Sequence, residues 1–369
     1  MDVVVTGIGL MSCLGSLQTT QENILQERSG IKPYKFTRLP TYPLGLIDAG
    51  ASKIDDLTQK ILVDALRDAK LSIPLTECGV VIGSSRGCQA QWENLASQKD
   101  IFIDRWLETL PDRPAIITAK HLQTTAPVLA PMAACATGIW ALARGYEMIK
   151  SDRCKRVIAG AVEAPISPLT LAAFERMGAL AKTGCYPFDR DREGLVLGEG
   201  GAMFVLETAE LAARRSAKVY GKICGFGLTC DAYHISTPQS LGSSAARAIK
   251  QSLERSGLEP EDIDYIHAHG TSTTLNDRHE AQLIRQIFPQ VAVSSTKGAT
   301  GHTLGASGAI GTALTLMAMN DNCLPPCVGL KNPEFELDVV MQPRKAKSDR
   351  AMCFSFGFGG QNAVVTLSK

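Results

Sequence analysis

The sequence predicts an α/β protein made of two similar halves stacked in αβαβα layers. Three observations lead there. The chain resembles itself, apolar runs of strand length alternate with segments of helical spacing, and two uncharged stretches have helical length with no polar face. The self-similarity runs without a gap: Ala65-Leu66-Arg67-Asp68-Ala69-Lys70-Leu71 and residues 79–85 recur as Ser252-Leu253-Glu254-Arg255-Ser256-Gly257-Leu258 and residues 266–272. Leu66 falls on Leu253, Leu71 on Leu258, Gly83 on Gly270 and Ser85 on Ser272. Gly7-Ile8-Gly9-Leu10 is likewise echoed by Gly225-Phe226-Gly227-Leu228.

Taken in order, residues 3–6, 79–82, 156–159 and 202–207 read as buried strands, and 61–69 and 138–150 as helices. The uncharged stretches 122–143 and 298–320 are long enough to cross a membrane. The first, however, contains Pro127, Pro131 and Gly138, and the second contains five glycines and His302. Both therefore read as strand–turn–helix segments sandwiched between sheets. The halves are expected to be residues 1–210 and 211–369.

Composition narrows the function. Apolar residues make up 45% of the 369, charged residues 20%, and the formal net charge is +1. Without a basic surplus, nucleic acid and anionic membrane are excluded as partners. The eleven cysteines are scattered with no C-x-x-C pair, which suits a reducing, cytoplasmic compartment. The N-terminus, Met1-Asp2 followed by Val3 to Val5, lacks the basic leader of a secretory signal.

Chemistry concentrates in a few glycine-rich turns. Cys135 lies among small residues in Pro131-Met132-Ala133-Ala134-Cys135-Ala136-Thr137-Gly138, after a strand and at the start of a helix. Backbone N–H groups and the helix dipole converge there, which predicts a depressed thiol pKa. His269 opens His-Gly-Thr-Ser-Thr, and His302 closes Ser294-Ser295-Thr296-Lys297-Gly298-Ala299-Thr300-Gly301-His302. Phe354-Ser355-Phe356-Gly357-Phe358-Gly359-Gly360-Gln361-Asn362 stands near the C-terminus. Two histidines, a lysine and a cysteine, each in such a turn, exceed what packing requires. Metal and nucleotide readings fail. His267 and His269 share a strand face, but no third ligand follows closely, and His279-Glu280 lacks the second histidine of H-E-x-x-H. Too little chain follows Gly357-x-Gly359-Gly360 for a nucleotide-binding unit. Neither metal nor cofactor is expected.

With Pro187-Phe188-Asp189-Arg190-Asp191-Arg192-Glu193-Gly194 and Gly198-Glu199-Gly200, these motifs resemble the elongating β-ketoacyl-acyl-carrier-protein synthases, the condensing branch of the thiolase superfamily, from Val3 to Leu367. The resemblance implies a duplicated thiolase-like αβαβα fold, usually as a homodimer and sometimes as a heterodimer with an inactive relative. It implies that Cys135 takes the acyl chain from a carrier-protein or CoA thioester, with the backbone N–H groups of Cys135 and Phe358 as oxyanion hole. His269 and His302 would polarise the malonyl thioester carbonyl, with Lys297 beside them. Thr271 and Thr273 would bind the pantetheine arm, Phe356 and Phe358 would contact substrate, and Phe358 would gate the cysteine. The implied partner is an acyl carrier protein, acyl- and malonyl-loaded.

The chain also departs from this pattern. It is shortened between residues 34 and 62, where relatives usually carry a basic docking segment and this chain has Lys53-Ile54-Asp55-Asp56-Leu57. It is also shortened just before Cys135. His267 stands where asparagine is usual, Tyr186 where many relatives have arginine, and Gly311 where fatty-acid enzymes often have a glutamate paired with the lysine. Arg113, Lys120, Arg144 and Lys182 remain as cations for a carrier. A non-catalytic partner subunit is the competing expectation, opposed by the presence of Cys135, His269 and His302. A thiolase would place a second cysteine at the tip of the C-terminal motif, whereas Cys353 precedes it.

Overall fold

The computed structural model describes residues 1–36, 40–48, 53–97, 103–239 and 243–369. In chain order the main strands are β1 (Val3–Ser12), β2 (Gly79–Gly83), β3 (Val128–Leu129), β4 (Arg156–Glu163), β5 (Gly200–Thr208), β6 (Gly221–Cys230), β7 (Tyr265–His267), β8 (Ala292–Ser294), β9 (Asp338–Val339), β10 (Arg350–Gly357) and β11 (Gln361–Ser368). The helices that frame them are α1 (Ile54–Asp68), α2 (Arg113–Leu122), α3 (Thr137–Lys150), α4 (Pro168–Arg176), α5 (Ser243–Ser256), α6 (Thr274–Ile287), α7 (Lys297–Thr300) and α8 (Ser307–Asp321).

The first five strands lie side by side as β3-β2-β4-β5-β1, and their counterparts as β8-β7-β10-β11-β6, with β9 added at the far edge. By rank within each set, both orders are three-two-four-five-one. The directions repeat too: the first three pair in parallel, and the fifth strand runs antiparallel to both its neighbours. The sets are not separate sheets. Val3, Val4 and Val5 of β1 pair antiparallel with Ile223, Lys222 and Gly221 of β6, making one hydrogen-bonded path. Only these three pairs form, whereas β1 pairs with β5 from Val3 to Ser12. Beyond the join the two sets are free to diverge and admit helices between them.

Helix α1 begins at Ile54, earlier than periodicity alone suggests, with Asp55 and Asp56 in its first turn and Arg67 in its last, suiting the helix dipole. Its buried stripe of Ile54, Leu57, Thr58, Ile61, Leu62, Ala65 and Leu66 packs, with α2, on the outer face of the first strand set. α5 covers the outer face of the second set. The repeated Gly-x-Gly has a packing cause here. A Cβ on Gly9 would run into the Ile61 carbonyl of α1, and one on Gly227 into the Ala248 carbonyl of α5. Between the strand sets, α3 and α8 touch each other and complete the central core.

The two inner helices differ in a way the sequence reading missed. α8 is buried continuously from Ser307 to Leu316. Its Thr312 and Thr315 hydroxyls donate to the carbonyls of Gly308 and Gly311, hiding their polarity. α3 carries Arg144, Glu147 and Lys150, with Arg144 paired to Glu147 at 2.7 Å. It therefore has a polar flank, because it packs on β4 and β2 near the end of the strand set and its Trp140 and Arg144 line a groove there. Among the described residues no helix is long and apolar enough to cross a membrane.

Candidate active site

A cavity of about 270 Å³ opens where the strand ends of the two sets meet, and Cys135, His269, His302, Thr271, Thr273, Phe356 and Phe358 all line it. Residues from four distant stretches of sequence thus share one space. Each is delivered by a short turn between a strand and the next element.

Cys135 follows Ala134, whose φ of 47° places it in the left-handed region, so the chain turns sharply just before α3. The turn is pinned from within: the Thr137 hydroxyl donates to the Ala134 carbonyl (2.7 Å) and accepts from the Ala133 N–H (2.9 Å). From β10, the Ser355 hydroxyl donates to the Cys135 carbonyl at 2.8 Å. The thiol is 7% exposed. Burial pushes it up to about 11, against the opposing pull of the Lys297 charge and the Phe358 N–H. The expected depressed pKa is therefore corrected: removal from water outweighs the helix start. That Phe358 N–H, bonded to the thiol, is one of the two donors expected in an oxyanion hole.

His269 and His302 face each other edge to face, their ring centroids 5.2 Å apart. Cys135 Sγ and one nitrogen of each ring lie within 4.8 Å of one another. Burial first, and the charge of Lys297 second, hold both imidazoles well below the usual histidine pKa, so both are neutral. The backbone N–H of His302 donates to the Val196 carbonyl at 2.6 Å, and its ring Nδ1 is 2.8 Å from Ser307 Oγ at the start of α8. Lys297 is buried behind the cavity, not in its wall, and its ammonium donates to the His269 carbonyl. Cysteine and two histidines at this spacing are also a metal-like constellation, but the ammonium beside them opposes a divalent ion.

The Thr271 and Thr273 hydroxyls are 2.8 Å apart on the cavity wall. Phe356 meets the His269 ring edge-on at 6.1 Å. Phe358 stacks on Phe174 of α4 at 6.0 Å, and Phe174 in turn carries the Arg86 guanidinium 5.6 Å from its centroid.

Two carboxylates that build the site were overlooked in the sequence. Asp277 and Glu280, one turn apart on α6, hold the histidine turn by its backbone. Glu280 accepts from the N–H groups of His269 (2.6 Å) and Gly270 (2.7 Å). Asp277 accepts from Thr271 (2.9 Å), Ser272 (3.1 Å) and Phe188 (2.8 Å). Burial nevertheless pushes the Glu280 carboxyl up to about 7. Acids three apart on the helix after a histidine turn were the available signal, but Glu280 drew notice only as part of a failed zinc motif. The Pro187–Gly194 motif braces the same turn: Arg192 pairs with Glu334 and lies 3.8 Å from Asp277.

The cations proposed for a carrier disperse. Arg113 pairs with Asp55 at 2.7 Å, and Arg144 lines the edge groove. Lys120 lies exposed on α2, while Lys182 adjoins the cavity wall through its N–H to Glu193 at 2.9 Å.

Comparison with known proteins agrees with this geometry. Residues 47–212 match the model of the β-ketoacyl synthase N-terminal domain, and residues 220–331 that of its C-terminal domain. A 3-oxoacyl-[acyl-carrier-protein] synthase 2 of Synechocystis sp. is 35% identical over 411 aligned residues, covering 100% of this chain and 98% of that protein. Among solved structures, a type II PKS acyl-carrier protein in complex with its ketosynthase bound to the hexaketide superposes with a TM-score of 0.94 at 26% identity, covering 100% of this chain and 99% of the other. The ishigamide ketosynthase/chain length factor gives 0.92 at 27% identity, with the same coverage.

Proposed function

This chain belongs to the β-ketoacyl synthase family, and we propose that it condenses an acyl thioester with malonyl-carrier protein, with loss of CO2, to extend a fatty-acid or polyketide chain. The observation that carries this reading is the convergence of one thiol and two neutral imidazoles within 4.8 Å in a single cavity. In the first half-reaction Cys135 Sγ attacks the acyl thioester carbonyl. Its proton passes to an imidazole and then to the departing carrier thiolate, leaving the acyl group on Cys135. The backbone N–H groups of Cys135 and Phe358 receive the oxyanion, each worth roughly 3–4 kcal/mol of barrier.

In the second half-reaction malonyl thioester enters along Thr271 and Thr273. In the tautomer this step requires, Ser307 Oγ donates to His302 Nδ1 and Nε2–H faces the malonyl carbonyl oxygen, which His269 polarises from the other side. The bond to the carboxylate breaks, CO2 leaves, and its electron pair becomes the carbanion of the malonyl unit. That carbon attacks the Cys135 thioester, and the expelled thiolate takes up a proton. Neutral imidazoles suit this task, since they donate hydrogen bonds without attracting the malonyl carboxylate that must leave as CO2. Lys297 tunes and places the pair from behind.

Residues 1–210 and 211–369 are taken as the two halves, a carrier protein as the partner that delivers substrate, and the cytoplasm as the compartment. Pairing with a like subunit completes the assembly. Mass spectrometry of the intact protein after incubation with acyl-carrier protein tests the reading: an acyl adduct on Cys135 is expected. Cys135→Gln should still release CO2 from malonyl thioester, and His269→Ala or His302→Ala should release none. A protein that is neither acylated nor decarboxylating would be the non-catalytic partner subunit instead.

A further inference from the structure

Two unusual positions, His267 and Gly311, meet behind the site. Gly311 lies inside α8, in a continuously buried segment where glycine is a poor helix former. A Cβ there would fall 2.8 Å from His267 Nδ1 and 2.9 Å from Cys353 Sγ, closer than real side chains come. The imidazole, 2% exposed, fills the space that any side chain at 311 would need. Its Nε2 lies 3.1 Å from Thr296 Oγ1, and its Nδ1 is 3.9 Å from Cys353 Sγ. Thr296 immediately precedes α7 and is followed by Lys297, whose ammonium holds the His269 carbonyl. His269 itself stands two residues beyond His267. The contacts therefore close a ring: His267, Thr296, Lys297, His269 and back along the chain to His267.

We infer that His267, housed by Gly311, is a positioning residue that fixes Thr296 and Lys297 and so sets the His269 imidazole against the malonyl carbonyl. The inference rests on the condensing function proposed above. A neutral imidazole suits the position for an electrostatic reason. It bonds the Thr296 hydroxyl without placing a second positive charge beside the buried ammonium, and burial together with Lys297 keeps it uncharged.

The test combines a stability cycle with two kinetic readouts on the full chain. Gly311→Ala should lower Tm in the wild-type background and lower it clearly less when combined with His267→Ala, which removes the imidazole and leaves only the Cys353 Sγ contact. His267→Ala should cut kcat for malonyl-thioester decarboxylation by about 100-fold, the cost of a displaced catalytic group. KM for malonyl thioester, held by its arm along Thr271 and Thr273, and the alkylation rate of Cys135, set by burial of the thiol, should stay within about twofold of wild type. His267→Asn, which keeps a polar group facing Thr296, should restore part of the lost kcat. Equal Tm losses from Gly311→Ala in both backgrounds would overturn the shared-space argument. Unchanged decarboxylation in His267→Ala, or parallel losses in decarboxylation and alkylation, would overturn the positioning role. Wild-type protein that releases no CO2 would instead sink the functional reading, and the role with it, while the stability cycle still reports whether the two residues compete for space.

Discussion

Removing a thiol from water makes its proton harder to lose, and at Cys135 this effect exceeds every nearby attraction for the thiolate. Alkylation of Cys135 by iodoacetamide is therefore expected to accelerate about tenfold per pH unit from pH 7 to 10, following the thiolate fraction. A rate independent of pH across that range would show that the thiolate already exists at rest. His267 titrates in the opposite sense. Its folded pKa, lowered to about 3 from 6.5 chiefly by burial, means that the unfolded chain takes up a proton the folded chain refuses. The stability tied to its neutral form is complete above about pH 6.5 and declines as pH falls below that. Between pH 6 and 4, wild type should lose up to about 1.4 kcal/mol per pH unit more than His267→Asn. Parallel urea-midpoint curves for the two proteins would contradict this. The convergence of Cys135, His269 and His302 was legible because each sits in a short glycine-rich turn with its own local signature. Their ionisation was not legible, since burial is assembled from elements far apart in sequence.

At the scale of elements, the histidine turn is a backbone held by one helix. Asp277 alone satisfies the N–H groups of Phe188, Thr271 and Ser272. Asp277→Ala would leave three donors unpaired, each costing about 1–3 kcal/mol when buried. A loss of at least about 3 kcal/mol in urea unfolding and complete loss of condensation are expected. A change under about 1 kcal/mol would mean the turn holds itself. This scaffold escaped the sequence reading because its partners are backbone groups, which leave no pattern of side-chain types. The strands and helices themselves were legible, since alternation and periodicity are local. The polar flank of α3 was not: Arg144, Glu147 and Lys150 were in plain view, but the uncharged stretch before them dominated the reading.

For the whole molecule, the repeated strand order was foreshadowed by Leu66 with Leu253 and Gly83 with Gly270. The fusion of the two sets through three pairs between β1 and β6 had no such mark, because backbone pairing is indifferent to side-chain identity. The other end of the first set matters for assembly. β3 is the last strand there among the described residues, and its Leu129 and the nearby Met132 are 42% and 59% exposed. They line a groove with Trp140 and Arg144. An unpaired edge with apolar neighbours is an incomplete surface, and a second copy of the chain is the expected occupant. Sedimentation should give twice 39.5 kDa, and Met132→Asp should shift it towards the monomer. A wild-type monomer at micromolar concentration would point to an unlike partner subunit.

The protonated state of Cys135 also governs how the protein ages under oxidants. A thiolate attacks peroxide to give a sulfenic acid, and the sulfinic acid formed on further oxidation is not reversed by ordinary reductants. Cys78, Cys185, Cys327 and Cys353 are pushed by burial up to about 12, and Cys135 to about 11. Of the eleven cysteines only Cys230 is exposed, so mild oxidation should mark Cys230 before it reaches Cys135. Cys135 is open to damage only through its small thiolate fraction, so its loss to peroxide should be slow at neutral pH and quicken as pH rises.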